Sequence, residues 1–330
     1  MADYTAIDDP SAYFQTKLYT GTNNELVLTF DGNSDLQPNM IWTKNRGRAA
    51  NHVLSDTVRG IGKGLYPDLT NAEGDTNYIS AIGSDGYTIV ATDSVEINRD
   101  DDTFVSWNWK ESATAGMDIV SYTGNATART ISHSLSAVPA WMLIKCRSED
   151  GHSWKVYHKS IGATKTLALQ NTGAPDDDAN YHGDTEPTSS VFTIGSNGDV
   201  NDDGETFIAF LFAEKKGFSK FGSYIGNGNA DGPFIYLGFK PAFLMVKLTS
   251  GSDDWQILDT KRSPHNIVGG YMRPNSNAVT TNNDVIDFLS NGFKLRTSAG
   301  SWNPSAGTFI YMAFAEQPFV TSTGIPTTAR

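Results

Sequence analysis

A nine-residue string recurs three times in this chain, and any fold it adopts has to accommodate that recurrence. Residues 308–316 read Thr-Phe-Ile-Tyr-Met-Ala-Phe-Ala-Glu, residues 206–214 Thr-Phe-Ile-Ala-Phe-Leu-Phe-Ala-Glu, and residues 103–111 Thr-Phe-Val-Ser-Trp-Asn-Trp-Lys-Glu. In the third copy bulky side chains stand at every second position, Ile310, Met312 and Phe314, with Ala313 and Ala315 between. That is the period of a β-strand, whose alternate side chains face one layer. Starts at residues 103, 206 and 308 set a unit of about 100 residues, a common domain size and too long for a solenoid repeat or propeller blade.

Other landmarks keep the same beat. Tyr19-Thr20-Gly21 returns as Tyr122-Thr123-Gly124 and as Tyr224-Ile225-Gly226. A proline, an apolar run and a lysine recur as Pro38 and Lys44, Pro139 and Lys145, Pro241 and Lys247, each followed by a shorter strand opening at His52, Trp154 or Trp255. Hardly any stretch carries a helical apolar period, and Gly, Asn and Asp turns separate the short strands. The expected fold is all-β: three tandem antiparallel β-sandwich repeats, jelly-roll or lectin-like, over residues 17–116, 117–217 and 218–320. Each repeat is expected to hold its own core. Residues 1–16 read as an arm anchored by Tyr13 and Phe14, and residues 321–330 as a polar tail.

Composition removes several function classes. With 37 acids against 25 bases the net charge is −12, so no basic stripe is available to replace counterions on a nucleic acid. A single cysteine, Cys146, excludes an intrachain disulfide, and its apolar run marks it as a buried small residue. No window approaches 18 consecutive apolar residues, so membrane insertion is not expected. The first ten residues are acidic and lack an apolar signal core, which predicts synthesis in a cytoplasm without secretory export.

Together with the stretches Asp118-Ile-Val-Ser-Tyr-Thr-Gly124 and Asp287-Phe-Leu-Ser-Asn-Gly-Phe-Lys-Leu-Arg-Thr297, these landmarks give the chain a likeness. It resembles the β-rich repeated domain of tail-fibre and other virion structural proteins of marine bacteriophages. The resemblance implies a virion location and a non-enzymatic role in host attachment or receptor binding, with no catalytic residues carried over. Its partners would be other virion proteins and a host surface glycan or protein, in a homo-oligomer. A capsid decoration or cement protein, clasping neighbours with residues 1–16 and 321–330, is the alternative. A glycan-cleaving virion enzyme is the third.

Candidate sites are sparse. Asp199-Val-Asn201-Asp-Asp203-Gly204 matches the first half of a calcium loop, but Phe210 stands where the bidentate glutamate belongs. A plain turn is favoured over calcium, and no cofactor is implied. The histidines show no metal-ligand spacing, and no Gly-x-Ser-x-Gly elbow occurs. Tyr181, His182 and Trp302 fall in polar stretches, where an aromatic ring can stack on a sugar, anchor a partner or pin its own loop. Period-2 phasing also points Lys44, Lys145 and Lys247, and Glu111, Glu214 and Glu316, towards core faces. The sequence therefore predicts three rim ion pairs: Lys44 with Glu111, Lys145 with Glu214, and Lys247 with Glu316.

Overall fold

A computed structural model describes residues 4–326. Among them the longest helices are single turns of four residues, and the strands assemble into antiparallel sheets. The fold is all-β, as the alternation predicts.

Three sheets carry the repeated strings. The first orders Phe14–Thr20, Thr103–Trp109, Met40–Asn45 and Val53–Asp56. The second orders Met117–Thr123, Thr206–Ala213, Pro139–Cys146 and Lys155–His158, extended by Lys165–Ala168 and Asp176–Asp177. The third orders Ser219–Ile225, Thr308–Pro318, Phe239–Leu248 and Gln256–Asp259. Register recurs with strand order: Tyr19 lies opposite Phe104, Tyr122 opposite Phe207 and Tyr224 opposite Phe309. In each pair the rings stack, at 5.1, 5.2 and 4.7 Å.

Each of these sheets is backed by an outer one, and the central strands of the second and third are apolar on both faces. In Thr206–Ala213, Phe207, Ala209 and Leu211 pack with Phe192 and Ile194 of the outer sheet, while Ile208, Phe210 and Phe212 face the other way. That second face enters a cluster built from all three sheets: Trp42, Trp107 and Trp109, Trp141, Phe210 and Phe212, and Phe243, Met312 and Phe314. None of these is more than 3% exposed. Phe314 lies 5.8 Å from both Trp109 and Phe212, so the contact crosses sheet boundaries. The expectation of separate cores is corrected here. Separate clusters lie under the outer sheets of the first and second, but the largest is common property.

The sheets are joined in a closed cycle. Lys145 donates to the carbonyl of Thr70 in the first sheet's loops (3.1 Å), Lys247 to Thr172 of the second (3.2 Å), and Lys44 to Asn277 of the third (3.1 Å). The same carbonyls accept the backbone N–H groups of Gly151, Asp253 and Ala50. A second ring of bonds comes from the residues that open the shorter strands. Trp154 Nε1 donates to Tyr66, Trp255 Nε1 to Ala168, and His52 Nε2 contacts the Arg273 carbonyl, each at 3.0 Å. A carbonyl only accepts, and Trp42 Nε1 donates to His52 Nδ1 at 2.9 Å, so His52 is the neutral tautomer protonated at Nε2. Burial holds its pKa well below the ordinary histidine range.

The expected arm belongs to the fold where it is described. Its first strand starts at Phe14, whose ring sits in the shared cluster, and Thr5 and Ile7 are buried. Tyr13 packs edge-on against Phe218 at 6.1 Å. Asp8 accepts the Ser322 N–H at 2.7 Å, bringing the two end segments together. Residues 1–3 and 327–330 lie outside the described residues. Cys146 is fully buried. No helix among the described residues is long and apolar enough to cross a membrane.

Candidate functional site

The Tyr-x-Gly landmark proves to be half of a loop clamp. The hydroxyls of Tyr19, Tyr122 and Tyr224 donate to the carbonyls of Ile97, Val200 and Trp302 at 2.8, 2.8 and 3.0 Å. An asparagine follows each acceptor: Asn98, Asn201 and Asn303, all fully buried. In the second copy its Oδ1 accepts the Asn125 N–H (2.9 Å), and its Nδ2 donates to Thr127 and Gly195 (2.8 and 2.7 Å). Asn98 and Asn303 make the same pattern. Glycine is required where the loops touch: a Cβ on Gly124 would lie 1.9 Å from the Asp202 carbonyl oxygen.

The half calcium loop is therefore not gathered around one point. Asn201 turns inward as the clamp, at the end of the one-turn helix Gly198–Asn201, and Asp203 is exposed. Asp199 faces His152 and Lys155.

The three predicted ion pairs do not form. Period 2 places the lysines on the inner face correctly, and all three are buried. The strands run antiparallel, however, so Lys44, Lys145 and Lys247 stand opposite Val105, Ile208 and Ile310, at the far end from the glutamates. The ammonium groups bond carbonyls of the neighbouring sheet instead, and burial pushes each pKa down to about 8. Glu111 accepts the Ile119 N–H at 3.2 Å, and burial pushes its pKa up to about 7. Glu214 pairs with Lys159 at 2.5 Å, and Glu316 with Lys240 at 2.6 Å.

Tyr181, His182 and Trp302 are also corrected: all three are buried, at 8%, 1% and 1% exposure, and none is presented for stacking on a sugar. Trp302 precedes the clamp asparagine, and its ring packs on Tyr271 at 5.3 Å. Tyr181 and His182 sit on a one-turn helix, Ala179–His182, capped by Asp178. The Tyr181 hydroxyl accepts from Lys155 at 2.9 Å, with the ammonium 4.1 Å from the ring centroid. His182 packs on Tyr157, and burial, helped by Lys155, pushes its pKa down to about 4.

One polar group that the structure assembles surrounds His152. Its Nε2 lies 3.2 Å from Glu149 Oε2 and 3.8 Å from Asp202 Oδ2, and its Nδ1 lies 3.6 Å from Asp199 Oδ1. Asp199 is held from behind by the Ser153 N–H at 2.8 Å and by Lys155 at 3.2 Å. Glu149, His152 and Asp202 offer ligand atoms that all lie within 4.8 Å of one another. Sequence spacing does not show this, because the residues come from two loops, one after Pro139–Cys146 and one before Thr206–Ala213.

A second surface feature is the short strand Phe234–Tyr236. This short strand edges the third outer sheet; Ile235 turns inward at 8% exposure, while Phe234 and Tyr236 are 45% and 54% exposed. Lys220 stands 5.4 Å over the Tyr236 ring, and a cleft of about 390 Å³ opens beside it, lined by Tyr4, Glu214, Lys220 and Tyr236 among others.

Residues 9–318 match the model of a family described as a domain of unknown function, DUF7483, and the chain belongs to that family. The match runs across all three sheets. No curated protein matches the chain.

Proposed function

We propose that this member of the DUF7483 family is a non-enzymatic structural protein of a bacteriophage particle, acting by adhesion in a tail fibre or host-binding appendage. The observation that carries adhesion is the edge strand Phe234–Tyr236, which directs two aromatic rings outward beside a cleft, with Lys220 donating to the Tyr236 carbonyl at 3.1 Å. Exposed aromatics at a sheet edge mark contact surfaces, since they are a liability without a partner. The virion setting rests on the likeness of the repeated strings to phage structural domains. The buried polar groups fit a structural role, because Lys44, Lys145, Lys247 and His52 hold sheet to sheet.

In a density-gradient separation of a lysate that contains the chain, it should travel with intact particles, and antibody labelling should fall on tails or appendages. Recovery only as free protein overturns the reading. The double variant Phe234→Ala/Tyr236→Ala should keep the melting temperature and lose attachment to host cells; undiminished attachment removes this edge from the proposal.

A further inference from the structure

We propose that His152, Glu149 and Asp202 form a binding site for one divalent transition-metal ion, zinc in preference to calcium. The first argument concerns protons. A neutral imidazole carries one N–H, yet both ring nitrogens of His152 face carboxylate oxygens. Nε2 is within hydrogen-bond reach of Glu149 at 3.2 Å and lies 3.8 Å from Asp202, whereas Nδ1, 3.6 Å from Asp199, makes no hydrogen bond. The proton that links the imidazole to Glu149 therefore sits where a divalent ion would meet both carboxylates, and the ion would neutralise two charges where the proton serves one.

The second argument is geometric. Ligands about 2.1 Å from a tetrahedral zinc lie roughly 3.4 Å apart. The Nε2 separations of 3.2 and 3.8 Å straddle that value. Asp199 Oδ1 stands behind Nδ1 at 3.6 Å, too far for a hydrogen bond, and accepts the Ser153 N–H instead. Lys155 lies 3.2 Å from Asp199 Oδ2, so its charge neutralises the backing carboxylate rather than the two in front. Glu149 and Asp202 are 54% and 45% exposed, which leaves an entry path and a position for water.

The third argument comes from the other two sheets. By repeat register the positions of Glu149, His152 and Asp202 hold Arg48, Asn51 and Arg99 in the first, and Gly251, Asp254 and Pro304 in the third. Asn51 donates to Glu96 at 3.2 Å there, so the contact behind the ring recurs in the first sheet, whereas in the third Ser301 bonds Asp253 and Asp254 pairs with Arg273. The two front acids do not recur, since the same loops close with arginine, glycine or proline in their places. An imidazole with two carboxylates suits zinc and its first-row neighbours; calcium takes six to eight oxygens and has no use for the nitrogen.

The test is calorimetric titration of the tag-free full chain, stripped with chelator, using zinc and then cobalt. One ion per chain should bind with micromolar or tighter affinity, and cobalt should give visible absorption bands of a four-coordinate site. His152→Gln should abolish binding, and Glu149→Gln and Asp202→Asn should each weaken it at least tenfold. Millimolar calcium should not compete. No binding at millimolar zinc overturns the proposal, as does binding that His152→Gln leaves unchanged, the signature of zinc scattered over an acidic surface. Melting curves without metal establish that each variant folds. If His152→Gln does not, Glu149→Gln, at an exposed side chain, decides, and unchanged affinity there is equally fatal.

Discussion

Asn201 accepts one backbone hydrogen bond and donates two while fully buried, so its amide nitrogen cannot be exchanged for oxygen without loss. Asn201→Asp sets a carboxylate oxygen against the carbonyls of Thr127 and Gly195 and should destabilise the chain by about 3 kcal/mol or more. Urea unfolding measures it, and added calcium should restore nothing; recovery with calcium would revive the calcium-loop reading. Some of this clamp was legible. Across Glu96-Ile97-Asn98, Asp199-Val200-Asn201 and Ser301-Trp302-Asn303 the acids vary while the asparagine does not, which is the signal of a fold role. The geometry was not legible, because the partners are backbone atoms, which leave no mark on composition. Trp302 misleads for a related reason: its neighbours are polar, yet the clamp beside it turns the indole inward.

The strands were the readable element, since period 2 alone separates the faces of Thr206–Ala213. Strand direction decides the partners of the lysine row, and no residue pattern announces it. Those lysines give the element a pH signature. Below about pH 8 they are charged in folded and unfolded chains alike, and the cost of burying them is fully present. Between about 8 and the ordinary value of 10.5, the folded chain has released protons that the unfolded chain still holds. Stability should therefore rise with pH through that window. Cys146, its thiol pKa pushed up by burial, opposes this, but as one group against three. The buried clamp tyrosines, all raised above 10.0, turn the curve down beyond pH 10. Urea midpoints measured from pH 7.5 to 9.5 should climb, and the Lys44→Met/Lys145→Met/Lys247→Met variant should flatten the slope. A profile that falls in the parent protein contradicts the assignment.

For the whole molecule the shared cluster has a thermodynamic consequence. Removing residues 117–217 from their neighbours would expose Trp141, Phe210 and Phe212 to water. That fragment should lack a cooperative melt, whereas the intact chain should unfold in one calorimetric transition with equal van't Hoff and calorimetric enthalpies. Three separated transitions would show that the sheets are autonomous. The sequence conveyed a number, three, and a unit length, but not this sharing, because an apolar face looks the same whether it meets a sheet of its own unit or of another. The closed cycle also loosens the tie between fold and chain order. With Asp8 and Ser322 already in contact, the end segments lie close enough for a short linker to join them. The turn between Glu111 and Met117 could then be opened instead, since it joins sheets that the cycle already holds by other bonds. A circular permutant that begins at Gly116 should reach the same native state with the same melting transition. For such a molecule the order of the three sheets along the chain is a matter of connection rather than of packing, and the cycle itself has no beginning.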